Sequence, residues 1–340
     1  MTADPLSDVL KTVRLTGAVF FEIAAQGPWA VASPPRDLIL PKILPGADHL
    51  IAYHVVTAGR CFATAAGGQP MPLEAGEVVV FTQGQPHTMS SQPGMRADPP
   101  TPDVLEIAAA GRKPFEIIYG GGPASAKLVC GYFACDARPF NPLLESLPPM
   151  FKAGEARNEG TGRIVDFIRI AVAEAAEHHA GRESVLTKLS ELMFVDVLRG
   201  YLAALPSEQV GWLAGLRDPM IARALSLMHG RPSHNWTIEE LAKQAGLSRS
   251  TMAERFTRLV GLPPMHYLAK WRMQIAAELL TSSNANIARI ATETGYGSEE
   301  SFSRAFKKMV GVAPSAWRRR VNQLPAGNSD ETAAAPGSKP

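Results

Sequence analysis

Cysteine is scarce in this chain, with three cysteines among 340 residues. An odd number of thiols cannot form a fully paired disulfide framework, which is typical of a reducing compartment. Long apolar runs are also missing, because no stretch approaches the roughly 20 residues that a helix needs to span a bilayer. The start of the chain carries Asp4, Asp8, Lys11 and Arg14 and has no apolar core of a secretion signal. We therefore expect a cytoplasmic protein with no membrane partner.

The chain as a whole has no large excess of positive or negative charge, because its formal net charge is +2. The charges are nevertheless segregated. Residues 217–320 contain 16 Lys or Arg against eight Asp or Glu, whereas residues 1–216 contain 17 against 22. A basic C-terminal region beside a mildly acidic N-terminal one is typical of a protein in which one part contacts phosphate groups. Hydrophobic residues make up 46% of the chain, enough for two cores.

Residues 238–320 contain two copies of one helix-turn-helix pattern, with a constant offset of 50 residues from Ser248 and Ser298 onward. In each copy a short amphipathic helix leads to a glycine, Gly246 or Gly295, whose backbone can end a helix. The serine that follows is the predicted N-cap of a second helix. An apolar stripe predicts the buried side of that second helix, formed by Met252, Phe256 and Leu259 in copy one and by Phe302, Phe306 and Met309 in copy two.

The other side of each second helix is polar, and we expect it to enter a major groove of double-stranded DNA. The candidate DNA-contacting residues are Arg249, Ser250, Ala253, Glu254 and Thr257 in copy one and Glu299, Glu300, Ser303, Arg304 and Lys307 in copy two. Copy one has the weaker readout chemistry, because Ala253 offers no hydrogen bond and Glu254 can only accept one. A purely structural helical scaffold is the alternative, but two matching copies in a basic region favour DNA binding.

The segment between the copies has the apolar spacing of a single continuous helix, from Pro264 to Leu280. A helix of about 18 residues spans roughly 27 Å. That length approaches the roughly 34 Å between successive major-groove faces on one side of B-DNA, so both reading helices could dock together.

The C-terminal motifs resemble those of the AraC/XylS family of bacterial transcription regulators. They are Ala245-Gly-Leu-Ser248, Gly295-Tyr-Gly-Ser298, Phe302-Ser-Arg-Ala-Phe306-Lys and Gly311-x-x-Pro314. The resemblance extends from about Asp218 to Arg320. It implies two helix-turn-helix subdomains joined by a rigid helix, with promoter DNA and RNA polymerase as partners. It also implies base contacts from Ser250, Ala253, Glu254, Glu300, Ser303 and Arg304.

The N-terminal part is rich in short β-type runs separated by Pro and Gly turns, which predict a sandwich or barrel. The predicted strands are 38–40, 50–56, 60–64, 77–81 and 127–133. Residues 76–87 resemble the second cupin motif, Gly-x5-Pro-x-Gly-x2-His, with Thr82 in place of the proline. The first cupin motif is missing, because Val56 stands where the second histidine of His-x-His would follow His54. Residues 1 to about 215 resemble the cupin-type sensor domain of one AraC subgroup.

Four candidate sensor residues lie in or beside the predicted strands: His54, Cys61, His87 and Cys130. Two imidazoles and two thiolates would form a sound tetrahedral zinc site if the barrel brought them together. The alternatives are redox sensing through Cys61 or Cys130, and ordinary packing, in which buried thiols behave as small apolar groups. Sequence spacing leaves all three open. We prefer ordinary packing and expect neither a bound metal nor another cofactor.

The expected fold class is α+β multidomain, with an N-terminal cupin-like β-barrel of the jelly-roll type, linker helices and an all-α double helix-turn-helix region. Helices are predicted at 163–179 and 183–205, and the second is apolar enough to be buried on two sides, within the chain or in a homodimer. The expected parts are 1–140 as sensor, 141–215 as helical linker and possible dimerisation region, 216–321 as DNA-binding domain and 322–340 as disordered tail.

The function that these patterns favour is sequence-specific transcription regulation, more as an activator, controlled by a small molecule or a redox signal at the barrel. A cupin-type metal enzyme tethered to DNA is the alternative. The missing first cupin motif argues against it, and no Ser/His/Asp, nucleotide-loop or paired-carboxylate signature takes its place. An architectural DNA binder without an effector would not need roughly 215 residues of sensor-like sequence.

Overall fold

The computed structural model describes residues 4–12, 15–43, 49–97, 116–135, 139–153, 159–176, 179–206 and 208–322. From residue 323 onward, the expected disordered tail lies outside the described residues. Residues 177 and 178 of the helix expected at 163–179 also lie outside them. Within the described ranges, no helix is both long enough and apolar enough to cross a bilayer.

The N-terminal half contains the strands, and the C-terminal half is helical. In chain order the first half has α1 (Pro5–Thr12), β1 (Leu15–Gln26), β2 (Ala30–Ala32), α2 (Arg36–Ile43), β3 (His49–Ala65), β4 (Met71–Glu74), β5 (Val78–Phe81), β6 (His87–Ser90), β7 (Glu116–Gly120), β8 (Ala124–Cys135), α3 (Pro142–Ser146) and β9 (Met150–Ala153). The second half has α4 (Glu159–Ala176), α5 (Arg182–Ala204), α6 (Trp212–Arg217), α7 (Pro219–Gly230), α8 (Ile238–Ala245), α9 (Arg249–Val260), α10 (Pro264–Ser282), α11 (Ile287–Glu293), α12 (Glu299–Val310) and α13 (Pro314–Asn322).

Strand β3 organises the sheet, because its 17 residues pair antiparallel with β4, β5, β6 and β8. The strands predicted at 50–56 and 60–64 are both parts of it. β8 also pairs with β1, and β1 pairs in parallel with β7, which gives a nearly closed, barrel-shaped sheet. At Gly59 φ is +74°, and a Cβ atom would lie 2.1 Å from the carbonyl oxygen of Ser125. Only glycine therefore fits where β3 passes β8. The expected fold class, a barrel followed by helices, is confirmed.

The two faces of the barrel sheet pack into different cores, because successive strand residues point to opposite faces. Ala52 and Val56 of β3 belong to the core inside the barrel. Tyr53 belongs to the outer core, where its ring stacks on Phe133 of β8 with centroids 4.4 Å apart. Phe194 of α5 then meets Phe133 edge-on at 5.7 Å. The linker helices thus cover the outside of the barrel and leave its inside to a separate set of residues.

The strand predicted at residues 38–40 is wrong, because these residues lie in helix α2. The backbone N–H groups of Leu38 and Ile39 donate to the carbonyl oxygen of Pro35 at 3.0 and 3.3 Å. Asp37 lies in the first turn, where a carboxylate stabilises a helix. Ile39 is buried and Leu38 is exposed. A run of three apolar residues is too short for its periodicity to distinguish a strand from a helix.

The C-terminal helices form two helix-turn-helix units, α8 with α9 and α11 with α12, joined by α10. The predicted serine N-caps are present: Ser248 Oγ accepts from the N–H of Thr251 at 3.2 Å, and Ser298 Oγ accepts from the N–H of Ser301 at 3.1 Å. Gly246 ends α8 with a left-handed φ of +76°. These local contacts set the direction in which each reading helix leaves its turn.

The predicted apolar stripes are buried except for one residue. Phe302 and Phe306 pack in the core of the second unit, and the ring of Phe306 lies 6.2 Å from that of Trp317 in α13. Met309, expected in the same stripe, is exposed at 36%. It lies in the last turn of α12 and lines a cleft of about 280 Å³ together with Phe140. The helical period is kept at Met309, but its side chain lines the cleft instead of packing in the core.

A pair of substitutions tests this packing. Phe306→Ala should lower the free energy of unfolding of the second unit by about 3–5 kcal/mol, because it removes a fully buried ring. Met309→Ala should change it by less than about 0.5 kcal/mol, because the thioether is partly in solvent. Urea unfolding followed by circular dichroism measures both. Similar losses in the two variants would contradict the placement of Met309.

Candidate functional site

The polar side of α12 is the first candidate surface. Glu299, Glu300, Arg304 and Lys307 are exposed, and Ser303 is half-buried. The buried phenylalanines of the same helix fix which side faces solvent. The five residues predicted to contact DNA in copy two therefore lie on one accessible face.

The charges of this surface change sign along the helix. The backbone N–H of Glu300 itself and the hydroxyl of Ser298 hold the pKa of the Glu300 carboxyl below its usual value, and Arg304 one turn further on lowers it as well. Lys307 and Lys308 lie in the last turn. An acidic start and a basic end both suit the helix dipole. The arrangement leaves Arg304, in the middle of the helix, as a cation that can approach a base edge.

The corresponding surface of α9 in copy one offers fewer donors. Ser250 and Glu254 are exposed, and Ala253 and Thr257 are half-buried. The exposed guanidinium of Arg249 binds Glu239 of α8 at 2.8 Å. All five residues predicted for copy one are accessible, but its most N-terminal cation has an acidic partner.

A second arginine of α9 is held by the neighbouring helix. Arg255 is half-buried, and its Nε donates to Asp218 at 2.7 Å, at the start of α7. The same carboxylate caps α7 through the N–H groups of Met220 and Ile221. Arg255 therefore has a structural role, and the reading face of α9 depends on serine, threonine and glutamate side chains.

The second candidate site is the imidazole pair inside the barrel. Nε2 of His54 on β3 lies 2.7 Å from Nε2 of His87 on β6, and Nδ1 of His87 lies 3.0 Å from the carbonyl oxygen of Gln85. The ring of His87 stacks on Phe81 at 3.7 Å. Burial lowers the pKa of His87 to about 4 and that of His54 well below its usual value, to which the neighbouring imidazole also contributes. Both rings are therefore neutral at neutral pH.

The two candidate thiols are in the same barrel core as the imidazoles but do not complete a metal site. Cys61 and Cys130 are buried, free cysteines. In the part of the chain that the structure describes, no three His, Cys, Asp or Glu side chains are close enough to hold one metal ion. Burial raises the pKa of Cys61 to about 12 and that of Cys130 well above its usual value. Protonated thiols are poor nucleophiles, so the barrel interior disfavours rapid oxidation of either cysteine.

Known proteins show the same two-part organisation. A family model described as Cupin matches residues 4–203, and one described as Helix-turn-helix domain matches residues 241–320. A putative AraC-like transcription regulator of Streptomyces lividans is 32% identical over 318 residues, covering 93% of this chain and 98% of that relative. This chain belongs to the AraC family of transcription regulators.

Two further proteins are similar to this chain. The RCS-specific HTH-type transcriptional activator RclR of Escherichia coli is 27% identical, with 82% of this chain and 88% of that protein covered. Among solved structures, the C-terminal domain of AraT, a response regulator from Geobacillus stearothermophilus, is 32% identical with a TM-score of 0.31 and covers 34% of this chain and 94% of that chain. The family assignment makes this protein a DNA-binding transcription regulator with a cupin domain.

A series of buried polar side chains connects the barrel part of this AraC-family regulator to its first helix-turn-helix unit. No sequence pattern predicts it. The indole N–H of Trp212 donates to the hydroxyl of Tyr267 at 2.8 Å, and Nε2 of His229 lies 2.8 Å from the same oxygen. Nδ1 of His229 lies 3.8 Å from the carboxylate of Asp8 in α1. The N-terminal helix of the sensor thus packs against the DNA-binding part. These contacts join residues that are 38, 55 and 221 positions apart in the chain, so no local sequence pattern predicts them.

A second contact between the two parts was also missed. The backbone N–H of Phe140, just before α3, donates to Oε1 of Gln274 in α10 at 3.0 Å. The Phe140 ring faces the ammonium group of Lys270 at 4.3 Å, and Lys270 also pairs with Glu145 at 3.5 Å. The only sequence signal was a glutamine between the apolar residues Met273 and Ile275 in a helix, where Gln274 is buried.

The imidazole pair of this AraC-family regulator predicts a pH dependence of stability. An unfolded histidine takes up a proton below about pH 6.5, whereas folded His87 stays neutral down to about pH 4. The unfolded state therefore binds more protons in this range, and stability is lost as the pH falls from about 6.5 towards 4. For His87 alone the full loss is about 3 kcal/mol.

Urea unfolding at about pH 7.5 and about pH 5 measures this effect. His87→Gln should reduce the difference in unfolding free energy between the two pH values. The matched control His266→Gln, at an exposed position of α10, should leave it as in the wild type. An unchanged difference in His87→Gln would show that this imidazole is not held neutral by the barrel.

Proposed function

We propose that this protein regulates transcription, more as an activator, by reading an operator with α9 and α12 under the control of a signal at the barrel. The observation that carries the proposal is the exposed polar face on both reading helices, each held from behind by buried phenylalanine. α10 has 19 residues, about 28 Å of helix, and joins the two units. This length suits two reading helices in successive major grooves. A relative that is named as an activator supports the direction of control.

We propose unequal roles for the two reading helices. In α12, Glu299, Glu300, Ser303, Arg304 and Lys307 face the bases, and the guanidinium of Arg304 suits the two acceptors of guanine. In α9, Arg249, Ser250, Ala253, Glu254 and Thr257 lie along the groove. The acidic partner of Arg249 and the inward contact of Arg255 leave copy one fewer cations. Copy two then supplies most of the sequence readout, and copy one mainly positions the protein.

Substitutions at Arg304 test the reading helix. After selection of an operator from random DNA, Arg304→Ala should weaken operator binding by about 1–3 kcal/mol and affect unrelated DNA little. Arg304→Lys should also lose operator affinity, because it keeps the charge but not the planar pair of donors. Fluorescence anisotropy with both DNAs measures the two losses.

The matched control is Lys188→Ala, at an exposed lysine of the linker helix α5, which should bind both DNAs as the wild type does. Affinity for the operator should fall steeply with salt in all variants, because lysines and arginines displace counterions from phosphate. If Arg304→Ala loses the same affinity for the operator and for unrelated DNA, Arg304 does not read the base sequence.

We propose a regulatory rather than an enzymatic role for the barrel, with residues 1–140 as sensor, 141–215 as linker and 216–321 as DNA-binding domain. The absent first cupin motif supports this, as does the lack of a three-residue metal-ligand cluster within the described residues. The signal is a small molecule or an oxidant. The raised pKa values of the two buried thiols favour the small molecule.

We propose RNA polymerase and a second copy of this chain as further partners. Ile170 of α4 and Leu192 of α5 are each more than half exposed, and a second copy would cover these apolar side chains. Leu192→Glu should shift sedimentation of the full chain from dimer towards monomer, because a carboxylate cannot be buried unpaired. The control Glu191→Gln, at the exposed neighbouring position, should sediment as the wild type does. A monomeric wild-type chain at micromolar concentration would contradict the dimer.

A further inference from the structure

The hydrogen bonds of the imidazole pair have a defined direction. His87 is neutral and carries one N–H group. Its Nδ1 faces the carbonyl oxygen of Gln85 at 3.0 Å, and a carbonyl oxygen can only accept, so the proton is on Nδ1. Nε2 of His87 is then an acceptor, and the N–H that it receives at 2.7 Å must belong to Nε2 of His54. Neutral His54 therefore carries a bare lone pair on its Nδ1.

That lone pair is buried and unsatisfied. Nδ1 of His54 has no hydrogen-bond partner among the residues that the structure describes, although the side chain is almost completely buried. Ala52 and Val56, two positions either side on β3, belong to the core inside the barrel, so His54 points to the same side. An acceptor of this kind is costly to bury unless something donates to it.

A second unsatisfied atom lies in the same core. The indole Nε1 of Trp29, just before β2, is buried and has no partner within the described ranges. The same core also contains small side chains, as at Ala25, Ala63 and Ala126. The barrel core thus combines an unpaired acceptor and an unpaired donor.

The electrostatics of this core select the charge of a ligand. Among the buried polar side chains of the barrel that the structure describes, the charged one is Glu77. The nearby carboxylate of Glu77 already binds Lys152 at 2.8 Å and the N–H of Glu74 at 2.8 Å. An anion or a cation would enter without a counter-charge, which is strongly unfavourable. A sugar or other polyol would bury more hydroxyl groups than the two unsatisfied atoms can bind.

We propose that the barrel of this protein binds an uncharged, largely apolar molecule with one hydroxyl group, of the phenol class, whose O–H donates to Nδ1 of His54. The N–H of Trp29 is the donor available to an acceptor on the same molecule. This proposal rests on the proposed function, because it names the effector class of the sensor. The imidazole pair then acts as a fixed acceptor that distinguishes a hydroxylated ring from a plain hydrocarbon.

Calorimetric titration of the full-length protein with phenol and with benzene tests the proposal. The two probes differ only in the hydroxyl group. Phenol should bind saturably and at least about tenfold more tightly than benzene, since one donated hydrogen bond to a buried acceptor is worth that factor. The double variant His54→Phe/His87→Phe keeps two aromatic rings but removes both imidazole acceptors, and it should weaken phenol at least about tenfold more than it weakens benzene.

Two further variants keep the test decisive. Trp29→Phe removes the indole N–H, keeps an aromatic ring and should weaken phenol less than the double variant does. His266→Gln, on the exposed side of α10, should bind phenol as the wild type does. Equal binding of phenol and benzene by the wild type, phenol binding without saturation, or phenol binding unaffected in His54→Phe/His87→Phe would each overturn the proposal. If the double variant does not fold, the comparison of the two probes in the wild type decides.

Operator binding separates this proposal from the proposed function. The phenol titration does not require DNA. If the protein binds phenol as described but selects no DNA sequence, the ligand proposal stands and the proposed role in transcription is wrong. If the protein binds an operator but binds phenol and benzene equally, the proposed role in transcription stands and the ligand class is wrong. Saturating phenol should change operator affinity in the wild type and not in His54→Phe/His87→Phe. Stoichiometric zinc bound to His54 and His87 would also overturn the proposal.

Discussion

The hydroxyl group of Tyr267 fixes the junction between the sensor and the DNA-binding part. It accepts from the indole of Trp212 and lies 2.8 Å from Nε2 of His229, whose Nδ1 lies 3.8 Å from the carboxylate of Asp8. Burial lowers the pKa of His229 to about 3, which keeps the ring neutral. Four helices, α1, α6, α7 and α10, therefore meet at one chain of polar groups. Removing the hydroxyl would leave the buried indole N–H of Trp212 and the buried Nε2 of His229 unpaired.

The two reading units differ in how they are connected to this junction. The first unit shares one continuous apolar core with the outer face of the barrel and with α4 and α5. The second unit has a separate core, formed by the end of α10 with α11, α12 and α13. One connection to the sensor is in α10, where Gln274 binds the backbone of Phe140. The copy with the weaker reading face thus shares its core with the sensor, and the copy with Arg304 has a core of its own.

The sequence was most informative where the determining contacts are local. Ser248 and Ser298 act as N-caps through bonds to residues three positions away, and Phe302 and Phe306 follow the helical period. Where the determining contacts are few, or join residues far apart in the sequence, the prediction was wrong or could not be made. The segment around Leu38 is helical because of Pro35 and Asp37 rather than any period, and Met309 keeps the period but lines a cleft. The pairing of His54 with His87 spans 33 residues and depends on the barrel, so the sequence left metal, redox and packing roles open.

The barrel interior connects to the DNA-binding part through contacts in series. His54 donates to His87, and His87 donates to the carbonyl oxygen of Gln85 in the loop between β5 and β6. The amide of Gln85 donates to the carbonyl oxygen of Pro149, and the hydroxyl of Thr82 donates to that of Pro148. These prolines directly follow α3, whose first turn lies next to Phe140 and its bond to α10. A ligand that repositions His54 therefore acts on a loop that is bonded to the segment holding α10. Control of DNA binding requires that this segment have two arrangements and that the ligand favour one of them. These arrangements would differ in the hydrogen bonds of Gln85 and Thr82, because these bonds join the loop between β5 and β6 to the segment that follows α3.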